Sequence, residues 1–558
     1  MMKMAATLWA ALLPIAEGSA QPLQAQEAPQ LYQGSRSVVT VEPVSWEGFM
    51  QDRNFDQFIT IDLRPQSNGS AGTFHVLGNA IPVSDVVWTG GRITARLGAL
   101  ADNLTLAATR EGNWLSGELR EGNNVQRFAL REIPQYPAPR NRTERWNQDF
   151  DSLTRRFTVL DRSMSPGERA LFIEAVEAIR SNLDQLSDAQ VIMQMASAIA
   201  LADEPHTRLL LLRNATELRR LPIRVWWFDE GLYIIRTSPE YRSLLGCRLD
   251  DFDQVPARQA RDLVGRAFAG NPSWRDYLTT YTLTSPEALH GLGVTRQLDQ
   301  VEIGVSGCRA AGRRTIQPMP LARSDRTVES WWDLSPLRES PHGITAHVLE
   351  EGRRGLPLYL RNPTANYAFE YLPDSGTLYF QFTRSDNARG ETMAAFGERL
   401  LREVESRRPR ALVLDVRFNT GGNASLSRDL FRRLNELTAS TPRYLISGRT
   451  TFSAGISAMG QFLSGGPATI VGERAGDDLD HWSEGGYVRL PNSGLEIDFQ
   501  TVLHSYSRPP CPRDISCVDM SIGSIEPEVL VSLTWRDYVL RRDPAMDAVL
   551  AHLARGSR

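Results

Sequence analysis

Ala411-Leu412-Val413-Leu414-Asp415-Val416-Arg417-Phe418-Asn419-Thr420-Gly421-Gly422-Asn423 is the stretch from which the fold is read. It predicts a strand, Ala411 to Val416, a glycine-rich turn, and then a helix running to Leu437. Paired glycines let the backbone approach a ligand closely and present N–H donors. An ordinary left-handed turn is the plainer alternative. A phosphate-binding loop is excluded, because the Lys-Ser/Thr ending and the full glycine spacing are absent.

The same rhythm continues on both sides. Upstream lie the strand Leu378 to Phe382 and a helix from Glu391 to Ser406. Downstream lie the strand Arg443 to Ser447, a helix beginning near Ser453, and the strand Ala468 to Val471. Alternating strands and helices predict a mainly parallel sheet covered by helices. Ligands in such folds bind beyond the carboxyl ends of the strands, where both glycine and serine turns fall.

The serine turn reads Thr450-Thr451-Phe452-Ser453-Ala454-Gly455-Ile456-Ser457. A serine that opens a helix has unpaired N–H groups and the positive end of the dipole beside it. Those groups suit the oxyanion of a tetrahedral intermediate. Capping the helix is the competing role for Ser453. His206, one of eight histidines, lies in the polar loop Asp203-Glu204-Pro205-His206-Thr207, where a lone histidine reads as structural and gains weight as a base only through a family resemblance; His481 and His504 are the other candidates for a base.

Other regions read differently. Short apolar alternations separated by Gly/Asn turns, over residues 40–135, predict a small antiparallel β domain. Residues 143–215 switch to helical period, with Ser165-Pro166-Gly167-Glu168 as one helix start and Ser187 as another, and an apolar strand Leu209 to Leu212 after the loop. Residues 216–340 are mixed, with a hairpin turning at Asp229-Glu230-Gly231 and an element order weakly like a PDZ module. Residues 341–558 hold the alternating core.

A chain of 558 residues exceeds one hydrophobic core, so several domains are expected. Its apolar and charged fractions, 41% and 23%, are those of a soluble globular protein. A net charge of -4 argues against nucleic acid as a partner. Lys3 is the only lysine; every other basic residue besides histidine is arginine. Met-Met-Lys, an apolar run from Ala5 to Ile15 and Gly18-Ser19-Ala20 read as a signal peptide over residues 1–20. The expected location is periplasmic or extracellular, with no membrane-spanning segment after cleavage. Of Cys247, Cys308, Cys511 and Cys517, the near pair Cys511/Cys517 is the expected disulfide. No cofactor and no metal site is expected, and the oligomeric state is left open.

Taken together, Asp-Val-Arg-x-Asn-x-Gly-Gly after one strand, Thr-Phe-Ser-Ala after the next and Val-Gly-Glu at residues 471–473 resemble the S41 (carboxyl-terminal-processing, tail-specific) peptidases. The branch most resembled is that of tricorn-core, nisin-resistance and interphotoreceptor-retinoid-binding-type proteins. Gly523-Ser524-Ile525-Glu526-Pro527-Glu528 and Arg541-Arg542-Asp543-Pro544 fit the same pattern. The resemblance spans roughly residues 145–558 and implies a crotonase/ClpP-like core. It implies a serine endopeptidase acting on polypeptides near a free C-terminus, with Ser453 as nucleophile and His206 as base. Ala454 and Gly421 or Gly422 would supply oxyanion donors, and Asp519 or Glu473 the third group. Glu204-Pro205 departs from the family's Asp-x-His-Thr segment. Many members use a lysine that would fall near Asp478; none is present, and arginine, always protonated, cannot replace it. A silent peptide- or hydrophobic-ligand-binding protein and a non-peptide esterase are the alternatives on the same fold.

Overall fold

Period-two alternation governs the start of the chain. The computed structural model describes residues 44–51, 56–64, 70–76, 79–98, 104–211, 218–319, 331–338, 343–349, 352, 354–507 and 522–556. Within it, eight antiparallel strands form a closed barrel: Val44–Met50, Gln57–Leu63, Ser70–Val76, Asn79–Thr89, Arg92–Leu97, Leu104–Glu111, Trp114–Glu121 and Asn124–Glu132. The first strand pairs with the last, Trp46 opposite Glu132 and Met50 opposite Phe128, which closes the ring. Ile59, Ile61 and Leu63 point inward and are fully buried, while the residues between them are less covered. The expected β domain is therefore a barrel, a closure that pairs both of its edges. It is one of two compact units, the second being residues 138–483 with 487–558. The signal-peptide segment and Cys511/Cys517 lie outside the described residues.

In the second unit three helices come first: Arg142–Leu160, Pro166–Ser181 and Asp188–Ile199. The latter two start in capping boxes, Ser165 with Glu168 and Ser187 with Gln190, each pair satisfying two otherwise orphaned donors. Of the strand expected over Leu209 to Leu212, Arg208–Leu209 is paired, with Asp498 and Ile497 in register opposite it, Leu210 and Leu211 fall beyond the pairing, and Leu212 lies outside the described residues. The described part of residues 216–340 builds an antiparallel sheet in the order Ile223–Phe228, Gly231–Thr237, Arg248–Phe252, Val301–Ser306, Gly312–Ile316. Cys247 and Cys308 form a disulfide across it, with Cα atoms 4.9 Å apart.

The sheet that carries the two turns has the order Tyr367–Leu372, Thr377–Phe382, Ala411–Asp415, Arg443–Ser447, Thr469–Gly472, Val529–Leu530. Its first pair is antiparallel and the rest are parallel. Alternate residues serve opposite faces. Leu412 and Leu414 join the core under helices Met393–Arg407, Arg428–Leu437 and Ala454–Leu463. Ala411 and Val413 join a second core with Ala545, Met546 and Val549 of helix Pro544–Gly556. Burial on both faces explains the near-continuous apolar strands. No helix among the described residues is long and apolar enough to cross a membrane.

Candidate active site

The turn after Ala411–Asp415 is fixed from below. Asp415 accepts from the Arg417 backbone N–H and from its Nε, at 3.0 Å and 2.9–3.0 Å. The Arg417 Nη1 and Nη2 atoms each donate to Asp543, at 2.9 and 3.0 Å, and Tyr379 donates its hydroxyl to Asp415 at 2.6 Å. Burial works against the Arg417 charge, yet Asp415 and Asp543 hold it well above its ordinary range. A bidentate fork of this kind fixes the backbone that leads to the glycines.

Those glycines touch the serine. Gly421 has φ +104°, and a Cβ on it would lie 2.9 Å from Ser453 Cβ and 3.2 Å from Ser453 Oγ. Gly422 has φ +129°, with space for a Cβ blocked by Ser385 O at 2.7 Å. The Gly421 N–H is already given to Asn419 Oδ1 at 3.0 Å. Among the described residues nothing accepts from the N–H of Gly422 or of Ala454. Of the two glycine alternatives, Gly422 thus has the free donor.

Ser453 stands at the N-terminus of helix Ala454–Leu463 with φ 56° and ψ −122°, a conformation that non-glycine residues avoid. Its hydroxyl does not cap the helix. Its backbone N–H donates to Asp477 Oδ2 at 3.1 Å. A serine displayed on a strained strand-to-helix turn, with its hydroxyl not used as a cap, is the arrangement of a nucleophile elbow.

His206 meets this turn through two contacts. Its ring packs on Phe452, centroids 4.2 Å apart, and its Nδ1 lies 3.8 Å from Asp477 Oδ2. Nδ1 is closer to Glu204 Oε1, at 3.2 Å, and Nε2 is buried without a hydrogen-bond partner. The Glu204 carboxylate is itself aimed by the backbone N–H of Trp482, at 3.0 Å to Oε2. The loop is anchored below: Asp161 accepts from Thr207 Oγ1 and Gln500 N, and Gln500 Nε2 donates to the His206 carbonyl. Ser453 and His206 are not hydrogen-bonded to each other. Unliganded catalytic pairs commonly tighten only when substrate docks.

Burial sets the charges here. It pushes His206 down to about 3, opposed by Asp477 and aided by His481 and Arg208, so the ring is neutral at pH 7. Burial pushes Glu204 up to about 7 against the N–H groups of Trp482 and His206. Asp477 is also raised by burial, with His481 and His206 opposing. His481 stacks on His206 at 5.7 Å, and His504 stacks on His481 at 5.4 Å. Glu204, His206 and Asp477 present three metal-ligating atoms within 4.8 Å of one another.

The structure therefore brings together Ser453, His206, Ala454, Gly421 and Gly422. Glu473 is placed elsewhere, paired with Arg449 through both carboxylate oxygens, and Arg449 reaches on to the Trp227 carbonyl. Burial raises Glu473 and Arg449 lowers it, with a net shift down. Asp519 lies outside the described residues. Sequence reading missed Asp477 and took Glu204 only as a departure from a motif. One available signal was that Asp477 adjoins the position where a lysine had been sought.

No protein-family profile matches the chain, and no curated protein matches it. Among solved structures the chain is similar to mature CPAF complexed with lactacystin, at 12% identity over 74% of this chain and 97% of that one, TM-score 0.47. It is also similar to the photosystem II D1 C-terminal processing protease, at 14% identity over 70% and 92%, TM-score 0.30. Neither likeness is close enough to bear on the roles of individual residues.

Proposed function

We propose that this chain is a serine endopeptidase that cuts polypeptides through an acyl-enzyme on Ser453. The observation that supports it is the strained, uncapped Ser453 tied through Asp477 to a neutral His206 with an unpartnered Nε2. Glu204 accepts from Nδ1–H and so selects the tautomer whose Nε2 lone pair is free. That lone pair takes the proton as Ser453 Oγ attacks the scissile carbonyl. The N–H groups of Ala454 and Gly422 receive the developing oxyanion. The imidazolium that forms is stabilised by Glu204 and Asp477, then returns its proton to the leaving amine. Water repeats the sequence in reverse to release the acyl group. In this reading the third group is Glu204, backed by Asp477; Glu473 is engaged by Arg449, and Asp519 lies outside the described residues.

The same reading takes the parallel sheet as a crotonase-like S41 core, of the His–Ser branch, and the antiparallel module as PDZ-like. It places the chain outside the cytoplasm, in keeping with the apolar N-terminal run and the Cys247–Cys308 disulfide. The test is cleavage of a fluorescent unfolded protein by the chain, by Ser453→Ala and by His206→Ala, alongside capture by a fluorophosphonate. Cleavage and capture by the unmutated chain alone support the assignment. Cleavage that survives Ser453→Ala removes the nucleophile. Absence of both cleavage and capture turns the reading to a ligand-binding protein, and turnover of simple esters alone to an esterase.

A further inference from the structure

Some buried carboxylates of this unit face guanidinium groups, Asp415 with Arg417, Asp333 with Arg224 and Glu473 with Arg449; Asp149 and Asp161 are instead held by backbone N–H and hydroxyl donors. Glu204 and Asp477 face no guanidinium and share one imidazole between them. Their side chains are 8% and 1% exposed, and among the described residues the only basic group within ion-pair distance of either is the neutral His206. The Arg208 guanidinium acts on the His206 ring only from beyond ion-pair distance.

The three ligand atoms are near one another, and small side-chain shifts close the widest gap onto one ion. His206 Nδ1 lies 3.2 Å from Glu204 Oε1 and 3.8 Å from Asp477 Oδ2, and all three atoms lie within 4.8 Å of one another. Tetrahedral zinc with bonds of about 2.0–2.1 Å to nitrogen and oxygen spaces its ligands roughly 3.3 Å apart. The carboxylates are pre-aimed by backbone donors on separate segments, Trp482 N–H on Glu204 Oε2 and Ser453 N–H on Asp477 Oδ2. Each ligand oxygen keeps a second lone pair. One imidazole and two carboxylates are a donor set for zinc and its first-row neighbours, with further positions left for water.

We propose that Glu204, His206 and Asp477 bind a first-row divalent cation of the zinc type, and that its binding switches off His206 as a base. The switching rests on the hydrolase reading above; the binding does not. The cation takes the Nδ1 lone pair, which forces the ring proton onto Nε2. An Nε2–H group cannot accept the Ser453 proton, so no bond to substrate forms. No electrons are transferred, and removing the cation restores the other tautomer. Metal and catalysis thus compete for one nitrogen.

The test uses the full chain stripped with EDTA. Co2+ is titrated by its visible ligand-field absorption and Zn2+ by calorimetry, for the unmutated protein, Glu204→Gln and Asp477→Asn. The expected result is one ion per chain, bound on the order of tenfold or more weakly by each variant, with Zn2+ inhibition of any cleavage reversed by EDTA. The variants lie on separate segments, so loss of fold in one leaves the other to decide. Absence of one-to-one binding by the unmutated chain, or binding unchanged in both variants, overturns the site. Cleavage insensitive to bound Zn2+ overturns the switch while leaving the hydrolase intact. Co2+ bound at these residues in a chain that cuts nothing supports the site and counts against the hydrolase.

Discussion

Two clusters in the second unit share a plan of two acids around one base, and differ in the base. In Asp415–Arg417–Asp543 the guanidinium is permanently charged and its donors are matched to both carboxylates. In Glu204–His206–Asp477 the base is a neutral imidazole, one nitrogen shared between two acids and the other without a partner. The first arrangement is saturated and immobile, and it holds a turn. The second keeps a proton that can move and an acceptor still to be used, which is what chemistry needs. In this pair of clusters the matched charges hold a turn, and the base with an unused acceptor is the one the proposed chemistry calls on.

The sharpest break of the comparison is at the unsaturated cluster. Ser453→Ala and His206→Ala should each lower kcat/KM on an unfolded substrate by about 10³-fold or more, with thermal unfolding unchanged. Retained activity in either would collapse the distinction. At the saturated cluster the loss should be in stability. Arg417→Met leaves Asp415 and Asp543 buried without their cation, and urea unfolding should show a loss of about 3–5 kcal/mol.

Glu204→Gln tests which acid steers the base. It should lower kcat/KM by about 10²-fold, and more than Asp477→Asn, since Glu204 is the nearer to Nδ1. The pH profile sharpens this. With His206 at about 3 and Glu204 at about 7, the ascending limb near pH 7 belongs to Glu204. It should vanish in Glu204→Gln. The stability sign is opposite. A carboxyl raised in the fold contributes most below its unfolded value and loses that contribution as pH rises through about 7. Urea midpoints of the unmutated chain should therefore fall relative to Glu204→Gln between pH 4.5 and pH 7. The smallest effect is expected at Glu473→Gln, about 2 kcal/mol of stability with no change in the pH profile. A displaced limb there would restore Glu473 as the third group.

Much of the frame was legible in local patterns. The apolar strands and glycine turn at residues 411–422, the Ser165 and Ser187 helix starts, and the hairpin at Asp229 to Gly231 all follow from spacing and turn chemistry within a few residues. What escaped was set by distance along the chain. Barrel closure depends on Trp46 meeting Glu132, which no local period encodes. The Cys247–Cys308 bridge joins residues 61 apart, a separation that carries no local signal. Asp477 adjoins the position where the family's lysine would fall, but its approach to Ser453 is fixed only when Thr469–Gly472 sits in the sheet beside Arg443–Ser447.

The fork between Arg417 and Asp543 also orders events in time. Arg417 lies on the turn that positions Gly421, but its second carboxylate comes from the start of the closing helix Pro544–Gly556. A nascent chain that has passed Ser453 still lacks that carboxylate until synthesis reaches Asp543. Ribosome-bound and prematurely ended chains thereby hold this turn through Asp415 alone, and the fork ties its full clamping to translation of helix Pro544–Gly556.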